Sequence, residues 1–343
     1  MKVAFRVDAS LSVGTGHVMR CLTLADELRR RDAETHFLCR DEPGNLIALI
    51  GSHSHQTATL APDRDDAEQC ATHLSGMRPD WIVVDHYGLG KKWECTVRPY
   101  ADAILVIDDL ANRAHDCDLL LDQNLYEGVE TRYAALVPNH CRQLIGPKFA
   151  LLRPEFAEAR STLSRRTGAI SKVLVNFGGA DTTNETARIL GLLHDSLSFS
   201  VEIDAVLGPT NPHADRIKSA NFPGRHVTVH VGINRMAALM SEADAFVGAG
   251  GSTTWERFCL GLPSLVIAAA ENQVPTAQYL GKFGAIDYIG RAADLTEHGL
   301  RAALSRFLMD QEGRSRMAEL GMELVDGRGA ERVADPLLSH MSA

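Results

Sequence analysis

Two stretches of the chain pass from an apolar run through glycine residues directly into an amphipathic segment. The first runs from Val3 to Arg20 and has Gly14-Thr15-Gly16 ahead of His17, and the second runs from Ala245 to Gly261. A strand, a glycine loop and a helix in this order leave free backbone N–H groups at the helix N-terminus, where an anion binds favourably. Two such units in one chain predict two α/β domains that hold a phosphorylated ligand between them.

Short apolar runs alternate with helical segments along the chain. Continuous apolar runs such as Trp81–Val84 are typical of parallel strands covered on both faces, and Val18–Arg31 has its apolar residues on one helical face. The predicted strands are Val3–Asp8, Glu34–Arg40, Gln56–Leu60, Trp81–Asp85, Ala103–Asp108, Leu119–Asp122, Lys172–Phe177, Val201–Leu207, Val227–Val231, Ala245–Val247 and Ser264–Ile267. The alternation predicts the fold class α/β, with two doubly wound Rossmann-like domains and an interdomain cleft.

A polar and charged stretch, Glu155–Ser171, interrupts this alternation. We therefore expect an N-terminal domain over residues 1–160, a C-terminal domain over 170–325 and a C-terminal helical tail over 326–343. The length of 343 residues and the apolar content of 45% are sufficient for two hydrophobic cores.

Charge and cysteine usage exclude several classes of protein. The net charge of −9 argues against a nucleic-acid-binding protein, which needs a basic face. Seven scattered cysteines without a Cys-x-x-Cys pair are typical of a reducing compartment. The first ten residues lack the apolar core of a secretion signal, and no apolar run reaches the roughly 18 residues of a membrane span. We expect a cytoplasmic protein whose partner is a small molecule, with neither nucleic acid nor membrane.

His17 is the candidate catalytic residue of the first unit. An imidazole titrates near neutral pH, and this one follows a glycine loop at the carboxyl end of a predicted strand, which favours a role as general base. Two alternatives stay open. In the first, His17 has a structural role alone and merely caps or packs its helix. In the second, Asp8 or Asp85 is the base, and His17 orients a group or contacts a phosphate.

The C-terminal half offers two glycine loops for phosphate groups. Gly178-Gly179 ends one predicted strand, and Gly250-Gly251-Ser252-Thr253 ends another, so both present backbone N–H groups to an anion. Glu256 could accept both hydroxyls of a ribose. The alternative is purely structural, because Thr182–Glu185 and Thr253–Glu256 both match the capping box that begins helices.

Amide side chains follow the next predicted strand. Asn272 and Gln273 lie on the same expected rim, where they could bind sugar hydroxyls or acetamido groups, or merely cap a helix ahead of Pro275. Metal ligands are weakly indicated: Asp63-x-Asp65 and Asp116-x-Asp118 are short patterns, and the fourteen histidines show no zinc spacing. We expect no metal and no cofactor, with leaving-group charge neutralised by backbone N–H groups and helix dipoles.

These motifs resemble those of a known group of enzymes. The two glycine loops, the second ending in Thr254-Trp255-Glu256, are similar to the GT-B class of UDP-sugar enzymes. The fuller set resembles the family of UDP-2,4-diacetamido-2,4,6-trideoxy-β-L-altropyranose hydrolases of pseudaminic acid biosynthesis. Its motifs in chain order are Arg6-x-Asp8-Ala9-Ser10, Gly14–Arg20, Val84–Tyr87, Ile107–Asp109, Asn176–Gly179 and Glu271–Gln273.

The resemblance implies a GT-B-like protein that binds the sugar and performs catalysis in its N-terminal domain and binds UDP in its C-terminal domain. It implies a metal-independent, inverting hydrolysis of the UDP-sugar, with His17 as the base that activates water. Tyr87 and Asn272 match positions that line the sugar site. Glu256 matches the ribose-binding glutamate, and Ile233 lies in the loop that meets uracil. All the expected substrate-binding residues are Gly16, Arg20, Tyr87, Asn124, Gly179, Ile233, Gly251, Ser252, Thr253, Glu256, Asn272 and Gln273.

Three other functions fit parts of the same pattern. A GT-B glycosyltransferase would move the sugar from UDP to an acceptor other than water. A non-catalytic UDP-sugar-binding protein would keep Glu256 and the glycine loops but would not need His17 behind Gly16. A UDP-sugar 2-epimerase would interconvert sugars before any hydrolysis. The identity of the product, a free or a transferred sugar, distinguishes the hydrolase from the glycosyltransferase.

Overall fold

The computed structural model describes residues 1–10, 13–163, 166, 168, 170–196, 201–223 and 226–339. The chain forms two compact units, the first comprising Met1–Leu152 together with the stretch that begins at Arg328, and the second comprising Arg153–Gly327. The last helix therefore belongs to the first unit, although the sequence suggested a separate tail over 326–343. Among the described helices, none has the length and apolarity required to cross a membrane.

The first unit is a parallel sheet flanked by helices. Its elements are β1 (Lys2–Val7), α1 (Gly16–Arg30), β2 (Glu34–Arg40), α2 (Ile47–Ser52), β3 (Gln56–Leu60), α3 (Asp66–Met77), β4 (Trp81–Asp85), α4 (Lys91–Val97), β5 (Ala103–Ile107), β6 (Leu119–Asp122) and β7 (Arg142–Ile145). The strand order is β3-β2-β1-β4-β5-β6-β7, and every neighbouring pair is parallel. The final helix of the chain, α13 (Gly329–Ser339), packs beside α1.

The second unit repeats this architecture. Its elements are α5 (Pro154–Thr162), β8 (Lys172–Asn176), α6 (Glu185–Ser196), β9 (Glu202–Leu207), α7 (Ala214–Ser219), β10 (His226–Val231), α8 (Met236–Glu242), β11 (Ala245–Ala249), α9 (Thr253–Cys259), β12 (Ser264–Ala268), α10 (Val274–Phe283), β13 (Asp287–Arg291), α11 (Glu297–Met309) and α12 (Gln311–Leu324). The parallel sheet has the order β10-β9-β8-β11-β12-β13. The predicted fold class of two doubly wound α/β domains is confirmed.

The strand sequences explain the burial of both sheets. Central strands are mostly apolar because helices cover both faces, and every residue of β4 and β5 is buried. On one face Phe5 stacks on Phe37 with ring centroids 4.7 Å apart. The indole N–H of Trp81 donates to the backbone oxygen of Leu337 at 3.1 Å, which ties α13 to the sheet.

Two observed strands, β7 and β13, were not predicted from the sequence. Both lie at the edge of a sheet, and their sequences, RQLI and DYIGR, lack the continuous apolar run of a central strand. An edge strand is covered less completely, so polar residues are tolerated there and the apolar signal weakens.

Each sheet reverses its strand order once. In the first unit the reversal lies between β1 and β4, and in the second between β8 and β11. Open α/β sheets bind ligands beyond the carboxyl ends of the strands at this reversal, because the two adjacent loops diverge and leave a crevice. The loops after β1, β4, β8 and β11 are therefore the candidate binding loops.

Candidate active site

His17 and Asp85 meet at the reversal point of the first sheet. His17 is the second residue of α1, which follows the β1 loop, and Asp85 is the last residue of β4, which pairs with β1. His17 Nδ1 lies 2.6 Å from Asp85 Oδ1, and both side chains are buried. This hydrogen bond orients the imidazole and directs Nε2 away from the carboxylate.

Arg20 completes the arrangement one helical turn later. Its Nε and Nη2 donate to the two oxygens of Asp85 at 2.5 and 2.6 Å, and its Nη1 lies 3.1 Å from Asp109 Oδ2. Burial by itself would raise the pKa of Asp85, but the charge of Arg20 and the contact with His17 hold that pKa well below its usual range. A carboxylate that accepts hydrogen bonds on both oxygens is a poor proton acceptor. Arg20 therefore fixes Asp85 in position as the hydrogen-bond partner of His17.

Tyr87 forms the exposed side of this cluster. Its ring lies edge-on to the His17 ring, with centroids 4.6 Å apart, and 38% of the residue is exposed. Burial of its hydroxyl and the negative charge of Asp109 raise the pKa of Tyr87, which keeps the phenol protonated as a hydrogen-bond donor. The same rim carries Asn124, whose side-chain amide donates to the Tyr126 hydroxyl at 3.1 Å.

Asp8, the other candidate base, is held in a buried ion-pair network. Arg6 donates to both of its carboxylate oxygens at 2.6 and 2.7 Å, and the backbone N–H of Arg40 donates at 2.7 Å. Arg6 also bonds Asp66, and neither it nor Asp8 is appreciably exposed. Although burial opposes ionisation, His86 and Arg6 hold the pKa of Asp8 well below its usual range. The network anchors the end of β1 and the position of the loop that follows.

A second buried acidic cluster on this edge was not predicted from the sequence. The Tyr133 hydroxyl lies 2.9 Å from Asp122 Oδ2 and 3.0 Å from Asp108 Oδ2. Burial raises the pKa of Asp122 to about 7, against the opposing effect of its hydrogen bonds with Asn124 and Tyr133. One hydroxyl proton cannot satisfy two carboxylates, so a protonated Asp122 removes the charge conflict.

In the second unit, the glycine loops of β8 and β11 lie at the corresponding reversal point. A side chain at Gly248 would collide with the backbone oxygen of Asn176 on the neighbouring strand. A side chain at Gly208 would collide with the backbone of Gly179. Glycine is needed at both positions because adjacent strand ends approach too closely for a Cβ. Gly178, with φ +88°, has a conformation that also favours glycine.

The two predicted capping boxes are not used as such. Helix α6 begins at Glu185, and Asp181, not Thr182, caps it by accepting from the backbone N–H groups of Glu185 and Thr186 at 2.9 and 3.0 Å. Helix α9 begins at Thr253, and Ser252 at its N-cap makes no side-chain capping bond. Thr253 and Glu256 are therefore both inside the helix, and the hydroxyl of Ser252 is not committed to capping.

Arg257 is a residue that the sequence did not single out. Its guanidinium is fully buried, lies 4.0 Å from the centroid of the Phe246 ring, and donates to the hydroxyls of Thr253 and Thr254 at 3.2 and 3.0 Å. It also donates to the backbone oxygen of Ala249 at 3.2 Å, so it ties the end of β11 to the first turn of α9. Burial lowers the pKa of Arg257 to about 9.

Glu256 precedes Arg257 in the chain, and burial shifts the pKa of its carboxyl in the opposite direction. Burial raises the pKa of Glu256 to about 7, partly offset by the charges of Arg153 and Arg257. The Arg153 Nη2 atom is 3.9 Å from its Oε1, too far for a strong hydrogen bond. The carboxyl of Glu256 is therefore poised between its two protonation states at neutral pH.

The remaining predicted residues lie on the same carboxyl edge of the second sheet. Gln273 accepts from the backbone N–H of Ala269 at 3.0 Å, and its Nε2 is close to Gly251. Asn272 is exposed in the short 3-10 helix Glu271–Gln273. Ile233 is half-buried and follows Gly232, whose φ of +61° turns the chain after β10.

Both Asp-x-Asp patterns have structural partners. Arg98 Nε lies 2.5 Å from Asp116 Oδ2, and its Nη1 lies 2.9 Å from Asp118 Oδ2. Asp65 caps α3 by accepting from the backbone N–H of Glu68 at 3.0 Å. These contacts give Asp65, Asp116 and Asp118 a role in folding.

Three proteins of known sequence are distant relatives of the chain, and no protein-family model matches it. The UDP-2,4-diacetamido-2,4,6-trideoxy-β-L-altropyranose hydrolase of Campylobacter jejuni is 25% identical over 83% of this chain and 97% of that protein. The spore coat polysaccharide biosynthesis protein SpsG of Bacillus subtilis is 24% identical over 97% of this chain and 96% of its own length. An uncharacterized protein of Methanocaldococcus jannaschii is 26% identical over 80% of this chain, and the chain spans only 57% of that relative.

Solved structures share the fold. MurG of Acinetobacter baumannii superposes with a TM-score of 0.72 at 14% identity and covers 98% of this chain and 99% of its own. The calicheamicin glycosyltransferase CalG4 superposes with a TM-score of 0.65 at 14% identity, covering 99% of this chain and 98% of its own. At such identities the likeness concerns the fold alone. The chain thus has the two-domain α/β fold of GT-B glycosyltransferases and, as its motifs predicted, is similar in sequence to the Campylobacter jejuni UDP-sugar hydrolase.

Proposed function

We propose that the protein is a metal-independent, inverting hydrolase of a UDP-activated diacetamido-trideoxy hexose, which releases UDP and free 2,4-diacetamido-2,4,6-trideoxy-L-altrose. The observation that carries the proposal is the His17–Asp85 pair at the reversal point of the first sheet. A second support is the similarity to a protein named for this reaction in pseudaminic acid biosynthesis. We also propose that the protein works in the cytoplasm, because its seven cysteines are free thiols.

In the proposed mechanism His17 activates the attacking water. Asp85 accepts the Nδ1–H bond, so Nε2 is the basic nitrogen that takes a proton from water as the oxygen attacks the anomeric carbon. The bond from that carbon to the β-phosphate oxygen breaks on the opposite face, and UDP leaves with the bonding electrons, which inverts the anomeric centre. The buried negative charge of Asp85 stabilises the imidazolium that forms.

One base is sufficient because UDP is a good leaving group. A glycosidase that expels an alcohol needs a second carboxyl group as general acid. Here the diphosphate charge would be met by the backbone N–H groups of Gly179 and Gly251 and by the hydroxyls of Ser252 and Thr253. Arg257 supports this role by fixing the first turn of α9, since it bonds the hydroxyls of Thr253 and Thr254.

The remaining contacts divide between the two units. In the first unit, four residues would contact the sugar or orient the base: Gly16, Arg20, Tyr87 and Asn124. In the second unit Ile233 would meet uracil and Glu256 would accept the ribose hydroxyls, while Asn272 and Gln273 would bind sugar hydroxyls or acetamido groups. Tyr87 and Asn272 suit this role because both side chains are exposed to solvent at their sheet edges.

The test is incubation of the purified protein with UDP-2,4-diacetamido-2,4,6-trideoxy-β-L-altrose and EDTA, without acceptor. UDP release and the anomeric proton of the free sugar are followed by NMR, and a His17→Asn variant is run in parallel. We expect rapid release with an inverted first anomer, and loss of turnover in the variant. UDP binding without turnover would contradict the hydrolase proposal.

A glycosyltransferase is the second candidate, because the solved structures that share the fold include glycosyltransferases. A transferase would bind the UDP-sugar in the same experiment but would release UDP slowly until an acceptor is supplied. Adding candidate acceptors to the inactive mixture, and looking for a glycosylated product by mass spectrometry, distinguishes the two activities.

A further inference from the structure

Three side chains converge beside the C-terminal half of α1, away from His17 at its start. Asp26 lies in the second half of α1, and His53 and His55 lie between α2 and β3. His53 Nδ1 is 3.0 Å from Asp26 Oδ2, and His55 Nε2 is 3.0 Å from Asp26 Oδ1. One potential ligand atom from each residue lies within 4.8 Å of the other two. Asp26 is nine residues along α1 from His17, which separates the two sites by about 14 Å.

We propose that Asp26, His53 and His55 form a Zn²⁺ site that clamps α1 to the segment leading into β3. Two imidazoles and one carboxylate are a donor set that zinc prefers, and three protein ligands leave a fourth position for water. Asp26 and His53 side chains are 33% and 39% exposed, so an ion and its water can enter from solvent.

The surroundings of His55 support a ligand role. The His55 side chain is fully buried, and its Nδ1 lies 2.6 Å from the hydroxyl of Thr35 near the start of β2. When Nε2 binds a metal, Nδ1 carries the proton and donates it to the Thr35 oxygen. A metal-bound histidine is usually oriented in this way by a second partner on its other nitrogen.

One charge opposes the ion. Arg29 Nη2 is 3.9 Å from Asp26 Oδ1, and Arg29 Nη1 donates to the backbone oxygen of His53 at 2.6 Å. The guanidinium thus repels a cation but also holds the loop that carries His53. Zinc binding should therefore strengthen when this charge alone is removed, as in Arg29→Gln, which keeps a hydrogen-bond donor.

The sequence could not indicate this site. His53-x-His55 is too short a pattern to identify a metal site by itself, and the third ligand lies 27 residues before His53 on another element. The expectation of no metal came from motif spacing along the chain and covered structural zinc as well as catalytic metal, so the proposed site departs from it. The proposed zinc has no part in hydrolysis, so chelation would lower thermal stability and leave turnover unchanged.

The experiment uses the untagged full chain, stripped with chelator and dialysed, and titrated with ZnCl2 by calorimetry. We expect one Zn²⁺ per chain, a rise in Tm on binding, and a visible d–d spectrum of a four-coordinate ion when Co²⁺ replaces zinc. His53→Ala should abolish all three signals, and Thr35→Val should weaken zinc binding about 10–100-fold. His73→Ala is the matched control because His73 is an exposed histidine on α3, outside the cluster.

The zinc titrations have one supporting result and two contradicting results. Stoichiometric binding that His53→Ala removes and His73→Ala retains supports the site. No binding, or equal binding by the wild type and His53→Ala, overturns it and leaves the cluster as a hydrogen-bonded structural group. Asp26→Asn is the second ligand variant, because asparagine keeps the shape and the acceptor while removing the charge. Since UDP release is measured separately in EDTA, the zinc proposal and the hydrolase proposal can fail independently.

Discussion

Asp85 Oδ1 accepts the hydrogen bond of His17 Nδ1 at 2.6 Å, although 68 residues separate the two along the chain. The contact exists because β1 and β4 are neighbours at the point where the sheet reverses its order, so the α1 start and the β4 end face the same crevice. The buried carboxylate, the oriented imidazole and the edge-on ring of Tyr87 are the geometry on which the proposed role of His17 as a base rests.

The first prediction concerns Asp85, the partner of the proposed base His17. Asp85→Asn should lower kcat by about 10²–10⁴ while KM changes little, because the variant loses the charge that stabilises the imidazolium. Steady-state UDP release at saturating UDP-sugar measures it. Asp102→Asn, an exposed aspartate of the same unit, is the control and should retain full activity. If Asp85→Asn retained the wild-type kcat, Asp85 would have no part in stabilising the charged His17 imidazole.

The second prediction is a pH dependence of nucleoside binding. Ribose hydroxyls donate to a carboxylate, so binding favours ionised Glu256, whose pKa in the free protein is raised by burial to about 7. Affinity for uridine should therefore increase about tenfold from pH 6 to pH 8, as ionisation becomes complete. Uridine is the probe because it has no phosphate that titrates in this range.

Glu256→Gln is the matched variant for that measurement. It keeps the size of the side chain and cannot ionise, so its weaker uridine affinity should be independent of pH between 6 and 8. A wild-type affinity that does not vary with pH would show that Glu256 does not contact the ribose as a carboxylate.

The third prediction links Asp122 to stability. Burial raises the pKa of Asp122 to about 7 from 3.8, so the unfolded chain loses this proton near pH 4 and the folded protein only near pH 7. The unfolded state thus binds fewer protons in this window, and the free energy of unfolding falls as pH rises from 4 to 7. The contribution of this group is on the order of 4 kcal/mol.

Urea unfolding of Asp122→Asn at pH 4.5 and pH 7.5 measures this contribution. Asparagine cannot ionise, so the variant should gain stability relative to the wild type as pH rises. The same difference between variant and wild type at both pH values would contradict the raised pKa.

The fourth prediction compares two glycines of the second unit. Gly248→Ala places a methyl group against the backbone oxygen of Asn176 and should lower the free energy of unfolding by about 3 kcal/mol or more. Gly251→Ala meets only the Gln273 side-chain amide at 3.9 Å, so its folding stability should be nearly unchanged. Thermal unfolding monitored by circular dichroism tests both, and equal loss in the two variants would contradict the packing argument.

Much of the fold follows from local sequence. Central strands such as β4 and β5 are recognisable because burial on both faces requires unbroken apolar runs. The edge strands β7 and β13 were missed because an edge does not impose that requirement. The capping box at Thr182 was wrong because Asp181 offers two carboxylate oxygens to the same helix start, and a pattern match cannot rank two neighbouring acceptors.

The sequence alone determined the alternation of strands and helices and the positions of the glycine loops, because these depend on residues a few positions apart. Only the tertiary structure decided which side chains meet. Strand order brings Asp85 to His17, buries Arg257 under the second glycine loop and gathers Asp26 with two histidines. Such contacts depend on which strands become neighbours, and that choice is made by the packing of the whole sheet.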